Sequence, residues 1–291
     1  MKINYFEEVK RLTLLDDVFM TVVFQEEPEL VEFRLKIILN LDLKVKSVRV
    51  QDTLVNLKGR GVRFDIHAVS ADGKHFDIEI QRQDSGANVK RARYNSSMLD
   101  ANILLAGEDT NALPETYVIF ITEHDVLKMN EPIYFIERVI VGKDKFFDDG
   151  AHIVYVNNSI RDDTPLGKLM HDFACADPDE MIYPIFFDKA GSHKKDKEKV
   201  MKLVGVMEEI AKRVRWKTAK RVRRETAKRV RRETAKRVRQ ETTLKNTIDM
   251  AKKMLAESDL SIEKISSLCS LPLEKVQELA ASISPKIKEQ T

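Results

Sequence analysis

Cysteine is nearly absent: Cys175 and Cys269 are the only two in 291 residues. Without framework spacing, a disulfide-stapled secreted scaffold is excluded, and free thiols in a cytoplasmic protein are expected. Ten glycines and eight prolines are too few for a collagen-like or Pro/Gly low-complexity chain. Long apolar runs are also missing. The longest spans Tyr117 to Ile121, far short of the roughly 20 residues a membrane helix needs, so no membrane partner is expected. Glu7, Glu8, Lys10 and Arg11 stand where a signal peptide would place its apolar segment.

Charge is what the chain has in quantity. Charged residues make up 33% and hydrophobic ones 43%, which fits a soluble protein rich in charged helix. The net charge of +3 hides an asymmetry. Residues 1–190 carry 23 Lys+Arg against 33 Asp+Glu, whereas residues 211–240 carry 15 against 2. An acidic body with a concentrated basic segment points to a polyanionic partner or an acidic self-contact.

Length favours about two domains, and the composition changes suggest where they divide. Residues 1–45 have helical periodicity in Leu12, Leu15, Phe19, Val22 and Val23, with a second run after Pro28. Alternation predicts strands at 62–69 and 75–81, and short apolar runs predict others at 117–122, 133–141 and 153–156. Helices are expected near 88–106 and 163–176. The polar stretch from Gly191 to Lys197 reads as a linker. The expected organisation is a domain over 1–190, a basic helical linker over 191–260 and a small helical hairpin over 261–291.

Residues 217–240 are three tandem octads, KTAKRVRR, ETAKRVRR and ETAKRVRQ. Eight helical residues turn through about 800°, roughly 80° beyond two full turns. Val222, Val230 and Val238 therefore wander around a helix and build no coiled-coil seam. The basic residues Lys220, Arg221, Arg223, Arg224, Lys228, Arg229, Arg231, Arg232, Lys236, Arg237 and Arg239 are candidates for phosphate contacts. A solvated basic rod, a tether on the acidic body or a record of tandem duplication fits the same residues. Residues 261–280 hold two amphipathic runs separated at Leu271-Pro272, loosely like a helix-turn-helix.

The register of the 62–81 hairpin can be worked out from the sequence. A two-residue loop at Asp72-Gly73 would oppose Ile66 to Glu79. A three-residue loop, Ala71-Asp72-Gly73, pairs Ala68 with Phe76, Ile66 with Ile78 and His67 with Asp77, and brings Asp65 opposite Glu79. Gly73 then falls where such a loop needs a left-handed residue. Two opposed carboxylates repel unless one is protonated or a cation lies between them. Mg²⁺ is commonly held by one or two carboxylates plus water and substrate phosphate. Gln81 can orient a water but cannot act as an effective base. The same pattern fits an edge hairpin with a solvated polar face. His67 fits a neutral partner of Asp77 as well as a metal ligand.

The segment RFDIHAVSADGKHFDIEIQ (63–81), followed by KRARYNSSMLD (90–100), resembles the PD-(D/E)XK nuclease superfamily. More narrowly, it resembles the recombination-promoting nuclease/putative transposase family, in which Gln replaces the superfamily's Lys. Asp65, Glu79, Gln81, Arg91 and Tyr94 match that family's hairpin and following helix. Asp16 and Phe19 match its N-terminal D-x-x-F motif, although Met20 stands where Lys is usual. Residues 113–121 resemble the strand after the helix.

The resemblance implies an α/β fold: a restriction-endonuclease-like core, with a central mixed sheet flanked by helices, then an all-helical basic tail. It implies a DNA endonuclease using Mg²⁺ or another divalent cation, held by Asp65 and Glu79 with help from the Ile80 carbonyl. Gln81 would orient the attacking water. Arg91 or a second metal would replace the missing Lys charge. Tyr94 would support the site, or serve only as a half-buried helix aromatic. Asp16 would add a metal acid, or only cap its helix. DNA is the implied partner, and a homo-oligomer is compatible with the family. A catalytically inactive DNA-binding or assembly module, and a helical interaction protein working through its tail, are the competing readings.

Overall fold

The computed structural model describes residues 4–55 and 59–283. Residues 284–291, part of the expected terminal hairpin, lie outside the described residues. Three short helices open the chain: α1 (Tyr5–Arg11), α2 (Asp17–Phe24) and α3 (Pro28–Leu39). Pro28 occupies the first turn of α3, where its missing N–H costs nothing.

Six strands follow: β1 (Val45–Val55), β2 (Gly61–Ser70), β3 (His75–Gln81), β4 (Thr116–Thr122), β5 (Ile133–Ile136) and β6 (Ala151–Asn157). They form one mixed sheet in the order β1-β2-β3-β4-β6-β5. β3, β4 and β6 are parallel neighbours, and the remaining pairs are antiparallel. Helix α4 (Val89–Ile103) is the crossover between β3 and β4. Helices α5 (Pro165–Ala174) and α6 (Pro184–Lys195) complete the helices that come before the long basic one.

Apolar clusters lie on both faces of the sheet. On one face, Ile66, Ala68, Ile78, Ile80 and Ile119 pack with residues of α2, α3, α5 and α6. On the other, Val118, Phe120 and Tyr155 pack with Ala92, Met98 and Leu99 of α4. The first core also encloses Arg34, fully buried with its guanidinium carbon 4.5 Å from the centroid of the Phe24 ring. Burial alone pulls its pKa down to about 9.

The β2–β3 register follows the three-residue-loop expectation: Ile66 faces Ile78, His67 faces Asp77 and Ala68 faces Phe76. Gly73 has φ of +89°, the left-handed region that favours glycine. Other expectations need correction. The hairpin is not an edge, because β1 covers one side and β4 the other. Its polar face is not solvated, because α4 lies over it, and Asp65, His67, Asp77 and Glu79 are all buried. The shared apolar face holds for Ile66 and Ala68, but Val62 and Phe64 join the α4-side cluster. The change coincides with a kink in the adjoining strand, where Gln51 has φ of +55°. The strand expected over 133–141 ends at Ile136.

The expected linker at 191–197 is largely helix: Gly191 is buried within α6, and α7 (Lys197–Glu257) begins shortly after it. The chain divides into two compact units between Ala211 and Lys212, within α7. In the second unit, α8 (Ile262–Cys269) and α9 (Leu273–Ile283) bury Ile265, Cys269, Val276 and Leu279 against Ala251 of α7. No helix among the described residues is long and apolar enough to cross a membrane.

Candidate active site

The backbone ladder between β2 and β3 stops at the Ile66–Ile78 pair. Asp65 and Glu79 lie one step beyond, so they are not a ladder pair as the register alone implied. A side chain fills the gap: the Ile80 N–H donates to Asp65 Oδ2 at 2.9 Å. The carboxylate takes over as acceptor for a buried backbone donor that has no strand partner there. This bond fixes Asp65 against the end of β3.

The Gln81 amide joins the two acids. Its Nε2 lies 3.4 Å from Asp65 Oδ2 and 3.1 Å from Glu79 Oε2. Helix α4 supplies the other partners from one face, since Arg91 and Asn95 are a turn apart. Arg91 donates to Glu79 Oε2 through Nη2. Its Nη1 donates to Gln81 Oε1 at 3.3 Å and to the Gly86 carbonyl at 2.9 Å. Asn95 Nδ2 donates to Asp77 Oδ2 at 2.8 Å and to Glu79 Oε1 at 3.3 Å. Asn88 caps the helix by accepting from the Arg91 N–H at 3.0 Å. The cap and the site share one residue, so the start of α4 is fixed relative to Glu79.

Three buried acids thus meet one guanidinium. Burial pushes Asp65 up to about 6, with the Ile80 N–H pulling the other way. Burial, then the charge of Asp65, pushes Glu79 up to about 8. Asp77 is raised well above the carboxylate range by burial and by Glu79. Desolvation and like charge both favour the protonated forms, and a bound cation would reverse that preference.

The cluster opens onto a cavity of about 730 Å³, lined by Asp65, Gln81, Arg91, Tyr94 and Asn95. Arg60, Arg63 and Lys90 add positive charge, and Asp17 adds one acid. Glu79 is fully buried and reaches the lining only through Gln81, Arg91 and Asn95.

Asp16 is engaged elsewhere. Its Oδ2 accepts from the Thr13 N–H at 2.8 Å, and its Oδ1 pairs with Arg82 at 2.6 Å. It makes no side-chain cap bond to α2. The acid that α2 presents to the cavity is the next residue, Asp17, whose pKa is raised chiefly by burial. Although His67 and Asp77 are opposed in the ladder, the His67 ring turns away from Asp77. Its Nδ1 meets Asp52 Oδ2 at 2.8 Å and its Nε2 meets His75 Nδ1 at 3.2 Å, while burial lowers its pKa. Asp77 is instead bonded to Asn95.

Sequence reasoning missed Asp17, Asn95 and the shared role of Asp77. Asn95 was findable, being one turn beyond Arg91 on the same helical face. Asp17 was not, because its neighbour Asp16 had the motif position.

The donor set fits a hard divalent cation. It consists of carboxylate oxygens, and Asp65 Oδ1 has only a marginal contact, with Gln51 at 3.5 Å. Among the described residues, no group of three or more His, Cys, Asp or Glu is placed to hold a metal. Two carboxylates, Asp65 and Glu79, could hold such an ion only with water and phosphate completing its shell. The octads lie in the second unit, with the side chains of 218–240 exposed along α7.

No curated protein and no solved structure matches the chain. A family model described as PD-(D/E)XK nuclease family transposase matches residues 26–168. That span contains the whole sheet and the α4 crossover, with Asp65, Glu79, Gln81, Arg91 and Asn95. Over these residues, just under half of the chain, the sequence is similar to the PD-(D/E)XK nuclease family transposases.

Proposed function

We propose that the protein is a metal-dependent DNA endonuclease, with its catalytic site in the first unit. The observation that carries this reading is the buried Asp65 and Glu79, joined by the half-buried Gln81, at a cavity lined by Arg60, Arg63, Lys90 and Arg91. Acids below and cations above suit a phosphodiester: the cations attract the phosphate, and the acids hold a metal against it.

Asp65 and Glu79 would hold the cation, and Asp17 is a further acid within the cavity. When bound, a divalent cation would supply Lewis-acid polarisation of the phosphate and a lowered pKa for a coordinated water. Asp65 is held in place by the Ile80 N–H, and Glu79 by Arg91 and Asn95. Gln81 presents an amide at the junction of the two acids, where it can orient the attacking water. Arg91 is the nearest fixed positive charge and replaces the superfamily Lys in balancing charge on the phosphate. Tyr94 forms part of the wall. The basic octads of the second unit would add contacts to the DNA backbone without reading sequence.

The direct test is nicking of supercoiled plasmid with Mg²⁺ and with chelator. A melting shift on adding Mg²⁺ alone is a second readout that does not depend on turnover. Gln81→Leu is expected to lose most activity, since leucine cannot hydrogen-bond water, whereas Gln81→Lys is expected to retain it. Gly86 offers an independent check. A Cβ there would clash with Gln81 Oε1. Gly86→Ala is therefore expected to displace the Gln81 side chain and lower nicking in the same way. If Gln81→Leu and Gly86→Ala both cut like the wild type, Gln81 has no part in positioning water.

A further inference from the structure

The free edge of the sheet carries an unusual extension. Among the described residues β5 is the last strand and pairs only with β6, which leaves backbone groups on its outer edge without a strand partner. The hairpin joining β5 to β6 continues beyond the paired strands as a two-stranded arm. Val139 and Phe146 form a bridge, and the Ile140 N–H donates to the Lys145 carbonyl at 2.9 Å. The Phe147 N–H donates to the Arg138 carbonyl at 2.9 Å. Gly142, with φ of +77°, and a Lys143 N–H bond to the Ile140 carbonyl close the tip.

A two-stranded ribbon is marginal by itself in water, and this one displays apolar side chains on both faces. Val139 and Phe146 share one face, and Ile140 and Phe147 the other, by strand alternation. All four are exposed, as are Phe135 of β5 and Val141 at the tip, the latter 94% exposed. Such a contiguous apolar surface on a free strand edge needs a cover.

The charge pattern indicates which cover. The tip carries Lys143 and Lys145 around Asp144, a net of +1, whereas the base carries Glu137, Asp148 and Asp149 against Arg138, a net of −2. Asp149 is held by Arg138, and Glu137 by His152 at 2.7 Å. The acidic base would repel a nucleic acid or an anionic membrane. It is complementary to the basic tip of an identical arm lying antiparallel. We propose that a second copy of this chain docks here, the two arms pairing about a two-fold axis through their apolar middles. Each contact is then made twice, as an isologous interface requires. This proposal is independent of the nuclease assignment.

The test is sedimentation of the full-length chain over a concentration series. The wild type is expected to dimerise. Phe146→Asp is expected to weaken the dimer by at least about tenfold, as loss of a central aromatic anchor does. Its secondary structure and cooperative unfolding should hold, because the side chain is exposed in the single chain. Lys145→Glu and Asp148→Lys should each weaken the dimer, and the two together in one chain should restore it. Three results would overturn the proposal: a wild type that stays monomeric, a folded Phe146→Asp variant that dimerises normally, or a double reversal that fails to rescue.

Discussion

Glu79→Gln and Asp65→Asn are each expected to abolish metal-dependent nicking while leaving the fold intact. Each change keeps the shape and removes a charge from the proposed metal site. Losing transition-state stabilisation of several kcal/mol costs about 10³-fold or more in rate. Stability should move the other way. Both carboxyls have folded-state pKa values raised from their usual 3.8 and 4.5, to about 6 and about 8. Well below pH 4 both are protonated in the folded and unfolded chain, and neither affects the pH dependence of stability. As pH rises, the unfolded chain releases protons that the folded one retains, so each group lowers stability until its folded pKa is passed. In chelator, the wild type should therefore melt progressively lower between about pH 4 and pH 8. Glu79→Gln should flatten that slope, and Mg²⁺ should raise the wild-type melt and leave the variant unmoved. Undiminished nicking by both variants would remove the site from the mechanism. A wild-type melt independent of pH would show that burial does not raise the pKa values of these acids.

Deleting residues 217–240 is expected to weaken DNA binding strongly without unfolding the first unit. The segment carries 12 Lys+Arg against 2 Glu. All its described side chains are exposed, and none belongs to an apolar cluster. If these cations neutralise phosphates, the slope of log K against log salt should flatten by roughly 0.9 for each duplex phosphate they leave free on deletion. The fall in affinity should be alike for unrelated DNA sequences, because backbone contacts carry no base identity. Titrations at several salt concentrations, with wild-type and deleted protein, measure both quantities. An unchanged affinity and slope would make the octads a spacer.

The hairpin was legible from the chain because its constraints are local. Alternation sets the faces, Gly73 sets the loop, and matching apolar pairs leave one register. That register placed Asp65 near Glu79, although Gln81 and not a ladder pair joins them, and Arg91 and Tyr94 were implied by the family resemblance. The helix at 89–103 and the strands at 116–122 and 151–157 were legible for the same reason, as short elements with their own periodicity. The linker expected at 191–197 failed because composition records polarity and not packing. Gly191 and its neighbours are helical, and Gly191 is buried beside Pro178.

The sequence by itself determined the order of strands and helices, the hairpin register, the pairing of two acids with an amide, and the concentration of basic charge in the octads. Each follows from periodicity or spacing within a few residues. Only the tertiary structure decided that the hairpin's polar face is buried, because that depends on α4 crossing over it and on β1 and β4 flanking it. It also decided that Asp17 lines the cavity while Asp16 pairs with Arg82, and that Asp77 bonds Asn95 while His67 turns to Asp52. These choices are made between residues far apart in the chain, where burial and competition for hydrogen-bond partners outweigh any local pattern.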